Sequence, residues 1–126
     1  MSSTRLGRVQ MKIMQVLWEK GRISAREITE TLNHSEPIAH STVQTLLRKL
    51  EAKGAIRHDV RERTFVFYPT VNEDKVKRAA TRDLMERVFG GSAVELVSYL
   101  LKHENVPREE IEQIHKLIDR QKRKEG

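Results

Sequence analysis

The 126-residue sequence has no cysteine, few aromatic residues and no long apolar run. Without cysteine, disulfides, thiolate metal sites and thiol catalysis are excluded. No stretch approaches the roughly 18 apolar residues of a membrane span, and the first residues, MSSTRLGRVQ, lack the apolar segment of a secretory signal. We therefore expect a cytoplasmic protein with no membrane partner. Its thin core, with 5% aromatic residues, favours further burial against a partner chain.

Motifs for catalysis or cofactor binding are also missing. The sequence has no glycine-rich phosphate loop, no HExxH and no nucleophile elbow. Its five histidines are scattered and match no standard metal site. His58 and Asp59 fall on opposite faces of a predicted strand, so they form no dyad. We predict that the protein is not an enzyme and uses no cofactor and no metal.

Charge is unevenly distributed along the chain. The net charge is +6 and the pI is about 9.8. Residues 1–72 hold 12 Lys/Arg against 7 Asp/Glu, whereas residues 73–126 hold 12 against 11. The positive excess of the first part favours an acidic partner such as nucleic acid.

Three helices are predicted in the first part of the chain. Between Leu6 and Lys20, apolar residues at helical spacing predict the first helix. Ser24-Ala-Arg-Glu27 is a capping box that begins a second helix, and HSTVQTLLRKLEAKG, residues 40–54, forms the third. The third helix begins either near Ala39 or with Ser41 as its cap, since both starts fit the pattern.

The remaining pattern defines the fold class. Residues 55–71 predict a β-hairpin connected at Arg61-Glu62-Arg63, with no glycine to indicate the turn type. Three helices and a hairpin in about 70 residues is the order of a winged helix-turn-helix domain. Three more helices are predicted after Asn72. We expect a mainly α protein with a small β-hairpin, in which a winged helix-turn-helix DNA-binding domain (1–72) precedes a helical dimerisation domain (73–126).

The third helix carries an unusual polar face. Opposite its apolar stripe lie Ser41, Gln44, Thr45 and Arg48, and residues 41–48 contain no carboxylate. Short hydroxyls permit close approach to base edges, Gln44 can pair with adenine, and Arg48 can pair with guanine. This face predicts a recognition helix in the major groove of double-stranded operator DNA.

Further DNA contacts are predicted outside that helix. Arg61 and Arg63 at the hairpin tip would contact phosphates or the minor groove, and Ser24 would offer its hydroxyl and the helix amides to a phosphate. Each residue also has a purely structural interpretation: Ser41 as a helix cap, Arg48 as a surface helix former, and the tip arginines as a solvated turn. Topology, face composition and charge together favour DNA.

The second part is short for an independent core, yet its apolar positions are regular. One interpretation is a three-helix bundle packed on its own winged domain. We prefer an interlocked homodimer, which would match a pseudo-palindromic site. The predicted dimerisation residues are Leu84, Val88, Phe89, Leu96, Val97, Leu100, Leu101, Ile111, Ile114 and Ile118.

Several segments resemble the penicillinase-repressor family, which includes repressors of β-lactamase and methicillin-resistance genes and of copper-transport operons. They are SAREI, STVQTLLRKLEAKGAIRH, FYPTV, VFGGSAVELVSYLL and EEIEQIHKLID. The resemblance covers nearly the whole chain and implies a homodimeric repressor. It extends the DNA-contact role to Thr42, beside Ser41, Gln44, Thr45 and the hairpin arginines.

Two departures from the family concern release from DNA. In the β-lactam-responsive members a sensor protease triggers cleavage at an Asn-Phe pair, and the matching positions here are Tyr99 and Leu100. The resemblance offers a sensor protease as a candidate partner and the region of Tyr99 and Leu100 as a candidate cleavage site, but without the Asn-Phe pair it does not imply proteolytic induction of the same specificity. The copper-responsive members end in a cysteine cluster, which this chain lacks.

Two alternative functions fit the same patterns. One is a ligand- or metal-sensing regulator of similar fold, with an effector pocket between the two halves. The other is a protein-interaction module that uses the winged fold without binding DNA. The charge excess in residues 1–72 argues against the second alternative.

Overall fold

The computed structural model describes residues 6–125. The predicted order of three helices, a hairpin and three further helices is confirmed. A short additional strand precedes the second helix. The elements are α1 (Arg8–Lys20), β1 (Ile23–Ser24), α2 (Ala25–Asn33), α3 (His40–Ala52), β2 (Ile56–Arg61), β3 (Thr64–Pro69), α4 (Glu73–Val88), α5 (Ala93–His103) and α6 (Arg108–Glu125).

The chain forms two compact units, one ending at Ala80 and one beginning at Thr81. Both limits lie inside α4, whereas the sequence places the functional boundary after residue 72, where α4 begins. That functional boundary stays a prediction. Among residues 6–125, no helix combines the length and the apolar character needed to cross a membrane.

The core of the first unit lies between α1, α2, α3 and one face of the sheet. Leu17, Ile28, Leu47 and Leu50 are almost completely buried. Burying each such side chain contributes about 1.5–3 kcal/mol, so the three helices are held by their apolar stripes. The other buried apolar residues are Ile13, Met14, Val16, Ile23, Leu32, Val43, Ala55, Ile56 and Phe67.

The sheet has three antiparallel strands in the order β1-β3-β2. The sequence did not predict β1, because a strand of two residues has no periodicity and exists only through its pairing with β3. Ile23 pairs with Phe67, and Ser24 pairs with Val66. The Trp18 indole donates a hydrogen bond to the Val71 carbonyl at 3.0 Å, which ties α1 to the segment after β3.

Helix ends follow local capping rules. The Ser24 hydroxyl accepts from the Glu27 amide at 3.2 Å and the Glu27 carboxylate accepts from the Ser24 amide, so this capping box is confirmed. The N-cap of α3 is Ala39, which leaves Ser41 in the first turn. The start near Ala39 is therefore correct, and the capping role considered for Ser41 is wrong.

The hairpin of β2 and β3 has a two-residue connection. Arg61 pairs with Thr64, so Glu62 and Arg63 form the turn, with φ of 52° and 67°. Positive φ at both central positions is the signature of a type I′ turn, whose twist matches that of the strands. The sequence did not reveal this type because neither residue is Gly, Asn or Asp.

The second unit consists of helices with regular ends. The Ser92 hydroxyl accepts from the Glu95 amide at 3.1 Å and begins α5. Gly90 and Gly91 have φ of 59° and 79°, conformations that separate α4 from α5 at low steric cost. Among residues 81–124, whose exposure is described, no side chain is buried. The helices therefore do not enclose a core of their own within one chain.

Candidate nucleic-acid interface

Helix α3 has one buried face and one exposed face. Val43, Leu47 and Leu50 are at most 1% exposed and fix the helix on the core. The residues predicted to bind DNA from this helix all have exposed side chains: Ser41, Thr42, Gln44, Thr45 and Arg48. A firmly packed helix therefore presents hydrogen-bonding groups to solvent.

Two contacts define the surroundings of the polar face of α3. Arg48 donates a hydrogen bond to the Thr45 hydroxyl at 3.3 Å, which engages one of the five guanidinium N–H donors. The carboxylate nearest to this face along the helix is Glu51, and it lies 2.8 Å from Nδ1 of His58 on β2. The Glu51 charge is thus directed towards the hairpin, where an imidazole contacts it.

The hairpin forms an exposed basic tip, which we call the wing (β2, β3 and their turn). Arg61 and Arg63 are both exposed, and Arg57 is exposed further back on β2. Arg63 has a positive φ, a conformation that costs a residue other than glycine on the order of 1–3 kcal/mol in backbone strain. An arginine at this position supplies an exposed positive charge beyond the last paired residues of the sheet.

Ser24 is placed differently from the other predicted contacts. It is half-buried, and its hydroxyl and amide both face the Glu27 carboxylate within 3.3 Å. That carboxylate already accepts from the Ser24 amide, and the Glu27 amide donates to the Ser24 hydroxyl. A phosphate could bind there only if the Glu27 side chain moved aside, because the two would compete for the same Ser24 groups. Phosphate binding by Ser24 therefore stays a prediction.

The sequence did not reveal how the wing is attached to the rest of its unit. The Arg22 guanidinium lies 3.9 Å from the centre of the Tyr68 ring and forms an ion pair with Asp59. Arg22 precedes β1, whereas Asp59 and Tyr68 lie on β2 and β3. These contacts join residues far apart in the chain, and no local pattern signals them.

A second ionic cluster lies between α1 and the turn that precedes α3. Arg8 binds Glu36 through two N–H···O contacts of 2.8 and 3.2 Å, and Lys12 also contacts Glu36. The hydrogen bond from Arg8, followed by that from Lys12, lowers the pKa of Glu36 from 4.5 to about 2. The turn of the helix-turn-helix is thereby attached to α1 by charge.

The histidines do not converge on a metal centre. Within residues 6–125, no group of three or more histidine, aspartate or glutamate side chains is placed to hold a metal ion. Nδ1 of His40 lies 2.8 Å from the Thr29 hydroxyl, and the His58 ring stacks on Phe65. These two histidines connect elements of the winged domain.

The predicted dimerisation residues lie on α4, α5 and α6 and on the residue after α4. Most are exposed within a single chain: Leu84, Val88, Val97, Leu100, Leu101, Ile111 and Ile118. Phe89, Leu96 and Ile114 are half-buried. Val94, Tyr99 and Leu117 are large, exposed and apolar or aromatic, and the prediction did not include them as dimerisation residues.

The positions aligned with the family cleavage pair are inside a helix. Tyr99 and Leu100 lie in α5 and are 53% and 42% exposed. The Tyr99 ring contacts Phe89 and His103, with centroid distances of 5.8 and 4.2 Å. The bond between Tyr99 and Leu100 is therefore part of a regular helix, and the Tyr99 ring beside it makes aromatic contacts.

Comparison with known proteins identifies the family. The sequence profile of the penicillinase repressors matches residues 6–120, which cover most of both units of the structure. The chain belongs to the penicillinase repressor family. The resemblance noted in the sequence is thus confirmed, and a repressor family agrees with the expectation that the protein is not an enzyme.

Individual members of the penicillinase repressor family match at low identity over most of their length. The penicillinase repressor of Bacillus licheniformis is 25% identical over 113 residues, covering 90% of this chain and 88% of that protein. The methicillin resistance regulatory protein MecI of Staphylococcus aureus (strain N315) is 24% identical over 111 residues, covering 88% and 90%.

A solved structure supports the fold class. The solution structure of the DNA binding domain of the repressor BlaI superposes with a TM-score of 0.52 at 28% identity, covering 57% of this chain and 88% of that chain. The predicted winged helix-turn-helix architecture is confirmed, together with the mainly helical composition.

Proposed function

We propose that this chain is a homodimeric transcriptional repressor that binds a pseudo-palindromic, double-stranded operator. Helix α3 would lie in the major groove and the wing arginines would contact the adjacent backbone. The observation that carries the proposal is the exposed, carboxylate-free face of α3 from Ser41 to Arg48, on a helix anchored in the core by its other side. Membership of the penicillinase repressor family supports it.

The dimer is proposed from the exposure of the second unit. A self-contained bundle would bury its apolar stripes, but among residues 81–124 none is buried, and Leu84, Val97 and Leu101 are 44%, 41% and 52% exposed. A second copy of the chain would cover these surfaces. Two-fold symmetry would then present two α3 helices to two half-sites.

Affinity and sequence specificity would come from different contacts. Lys and Arg contacts to phosphates would supply most of the affinity and make it fall steeply with salt. Gln44 and Arg48 would discriminate between base pairs. Repression would be steric, because the dimer would occupy an operator that overlaps a promoter. A cytoplasmic location belongs to the same proposal.

Release by a sensor protease at Tyr99–Leu100 remains part of the proposal with one added condition. Both residues lie within α5, so the helix would have to open locally before a protease could bind the segment as an extended chain. Cutting α5 would remove apolar residues on both sides of the bond from the dimer interface.

The test of the proposal is a selection of duplexes from a random pool at near-physiological salt, followed by sequencing of the bound fraction. Enrichment of an inverted repeat with half-sites about 10 base pairs apart, or a multiple of that, is the expected result. Enrichment of a single, unrepeated half-site would reject the dimeric mode. Binding that enriches no motif and disappears with modest added salt would reject specific repression.

A further inference from the structure

Two large apolar side chains are exposed together on the wing. Val60 and Phe65 are 62% and 51% exposed and are directly opposed partners on β2 and β3. Among residues 6–80, they are the only large apolar side chains left exposed. We call this pair the wing platform. Single exposed apolar residues need no explanation, but an adjacent pair at the end of a basic hairpin does.

The wing platform lies on the sheet face that packs against the helices. Side chains alternate along a strand, so Ile56, His58 and Val60 share one face of β2. Ile56 is fully buried in the core, and His58 contacts Glu51 of α3. The wing platform therefore continues the apolar face outward, past the end of the core, on the side where α3 lies.

The Phe65 ring is held in place. It stacks on the His58 ring with a centroid distance of 3.9 Å and an interplanar angle of 14°. His58 is in turn fixed by the Glu51 carboxylate at 2.8 Å. These contacts connect the recognition helix to the wing platform, so the platform is ordered before any partner binds.

We propose that the wing platform rests on the deoxyribose edges of the minor groove of bound DNA. Deoxyribose C–H groups line the walls of the minor groove and offer apolar surface next to the phosphates. Arg61 and Arg63, which lie in the chain between Val60 and Phe65, are exposed and complementary to those phosphates. This arrangement of apolar contact beside positive charge favours DNA over a second protein chain. The inference rests on the function proposed above.

The first test separates apolar from ionic contacts by their salt dependence. The double variant Val60→Thr/Phe65→Thr places β-branched residues, which suit strands, at both positions and removes the apolar surface. Its affinity for an enriched duplex of about 30 base pairs, three helical turns, is expected to fall about tenfold or more, as loss of partial side-chain burial predicts. The slope of log K against log salt should not change, because no phosphate contact is lost.

Two matched variants complete this test. Arg63→Ala should reduce the salt slope by about one, whereas Thr64→Val, on the opposite face of β3, should leave both affinity and slope unchanged. Equal affinity of the double variant and the unmodified chain would overturn this inference and leave the proposed function unaffected. If the unmodified chain binds no duplex, the proposed function fails, and the inference fails with it.

A second measurement does not depend on the fold of the double variant. A benzophenone amino acid at position 65 of the full chain retains an aromatic ring and reacts with its neighbour on irradiation. A crosslink to the DNA strand near the end of a half-site supports the inference. A crosslink to a second protein chain, or no DNA crosslink while the protein remains bound, would overturn it.

Discussion

At the scale of the residue, Arg48 has the most directly measurable role. It is exposed on the polar face of α3 and contacts only a short hydroxyl, that of Thr45, in a described hydrogen bond at 3.3 Å. A guanidinium in this position can form a bidentate pair with guanine, which an ammonium cannot reproduce. The base discrimination proposed for Arg48 can therefore be measured separately from the effect of its charge.

Replacing Arg48 with alanine should weaken binding to the selected site by about 1–3 kcal/mol while changing binding to scrambled DNA much less. Arg48→Lys is the matched control, since it keeps the charge and loses the bidentate geometry. Fluorescence anisotropy with both duplexes measures the difference. An equal loss on both duplexes, restored by lysine, would make Arg48 a phosphate contact.

Glu36 gives a prediction about pH. The hydrogen bonds from Arg8 and Lys12 lower its pKa from 4.5 to about 2, so the unfolded chain binds the proton more readily than the folded chain. The stability contributed by this cluster is fully present above pH 4.5 and is lost as the pH falls towards 2.

Glu36→Gln tests this prediction by removing the charge at nearly constant shape. The unmodified chain should have the higher urea midpoint at neutral pH, and its advantage over the variant should disappear between pH 4.5 and about 2. Because the cluster is partly exposed to solvent, the difference should also shrink with added salt. A difference that is constant across this pH range would show that the ion pairs do not stabilise the fold.

At the scale of the element, the wing turn combines strain with exposed charge. Glu62 and Arg63 occupy positive-φ positions that favour Asn and Gly. Among residues 6–125, neither side chain forms a described hydrogen bond or ion pair. An arginine in a positive-φ conformation is expected where a residue is kept for function at some cost in stability.

Arg63→Gly should raise the free energy of unfolding by about 1 kcal/mol by relieving the αL conformation and should weaken DNA binding. Glu62→Asn is the control, because it relieves strain next to the same position and removes no positive charge. It should stabilise the protein without loss of affinity. Thermal unfolding and anisotropy on the same samples measure both effects, and a destabilised Arg63→Gly protein would contradict this account of the turn.

At the scale of the whole molecule, apolar surface is distributed unevenly. The first unit encloses a core that includes Leu17, Ile28 and Leu50, whereas no described side chain of residues 81–124 is buried. The proposed dimer would cover this surface and couple folding to association, so the stability of the protein should depend on its concentration.

Leu101→Glu should shift the protein towards monomer, because a carboxylate in an apolar interface is costly to desolvate. Lys102→Glu is the control: it places the same group at the next, exposed position of α5, about 100° away around the helix. Sedimentation equilibrium should show a dimer for the unmodified chain and for the control. A monomer at all concentrations for the unmodified chain would refute the dimer, whatever the variants do.

The amino-acid sequence by itself determined the helices, the capping box that begins α2, the hairpin and the family, but it left the start of α3 open between Ala39 and Ser41. Apolar spacing within α3 and the Ser24–Glu27 capping box are local features, readable in a window of a few residues. The polar face from Ser41 to Arg48 is equally local, so the sequence alone locates the candidate recognition helix.

The tertiary structure alone decided what depends on residues far apart in the chain. The pairing of Ile23 with Phe67 creates β1, and the contact of Arg22 with Tyr68 joins the start of the sheet to its third strand. The stacking of His58 on Phe65 orders the wing platform. No sequence window contains both partners of a long-range contact together with the geometry between them, because that geometry is set by the packing of the whole core.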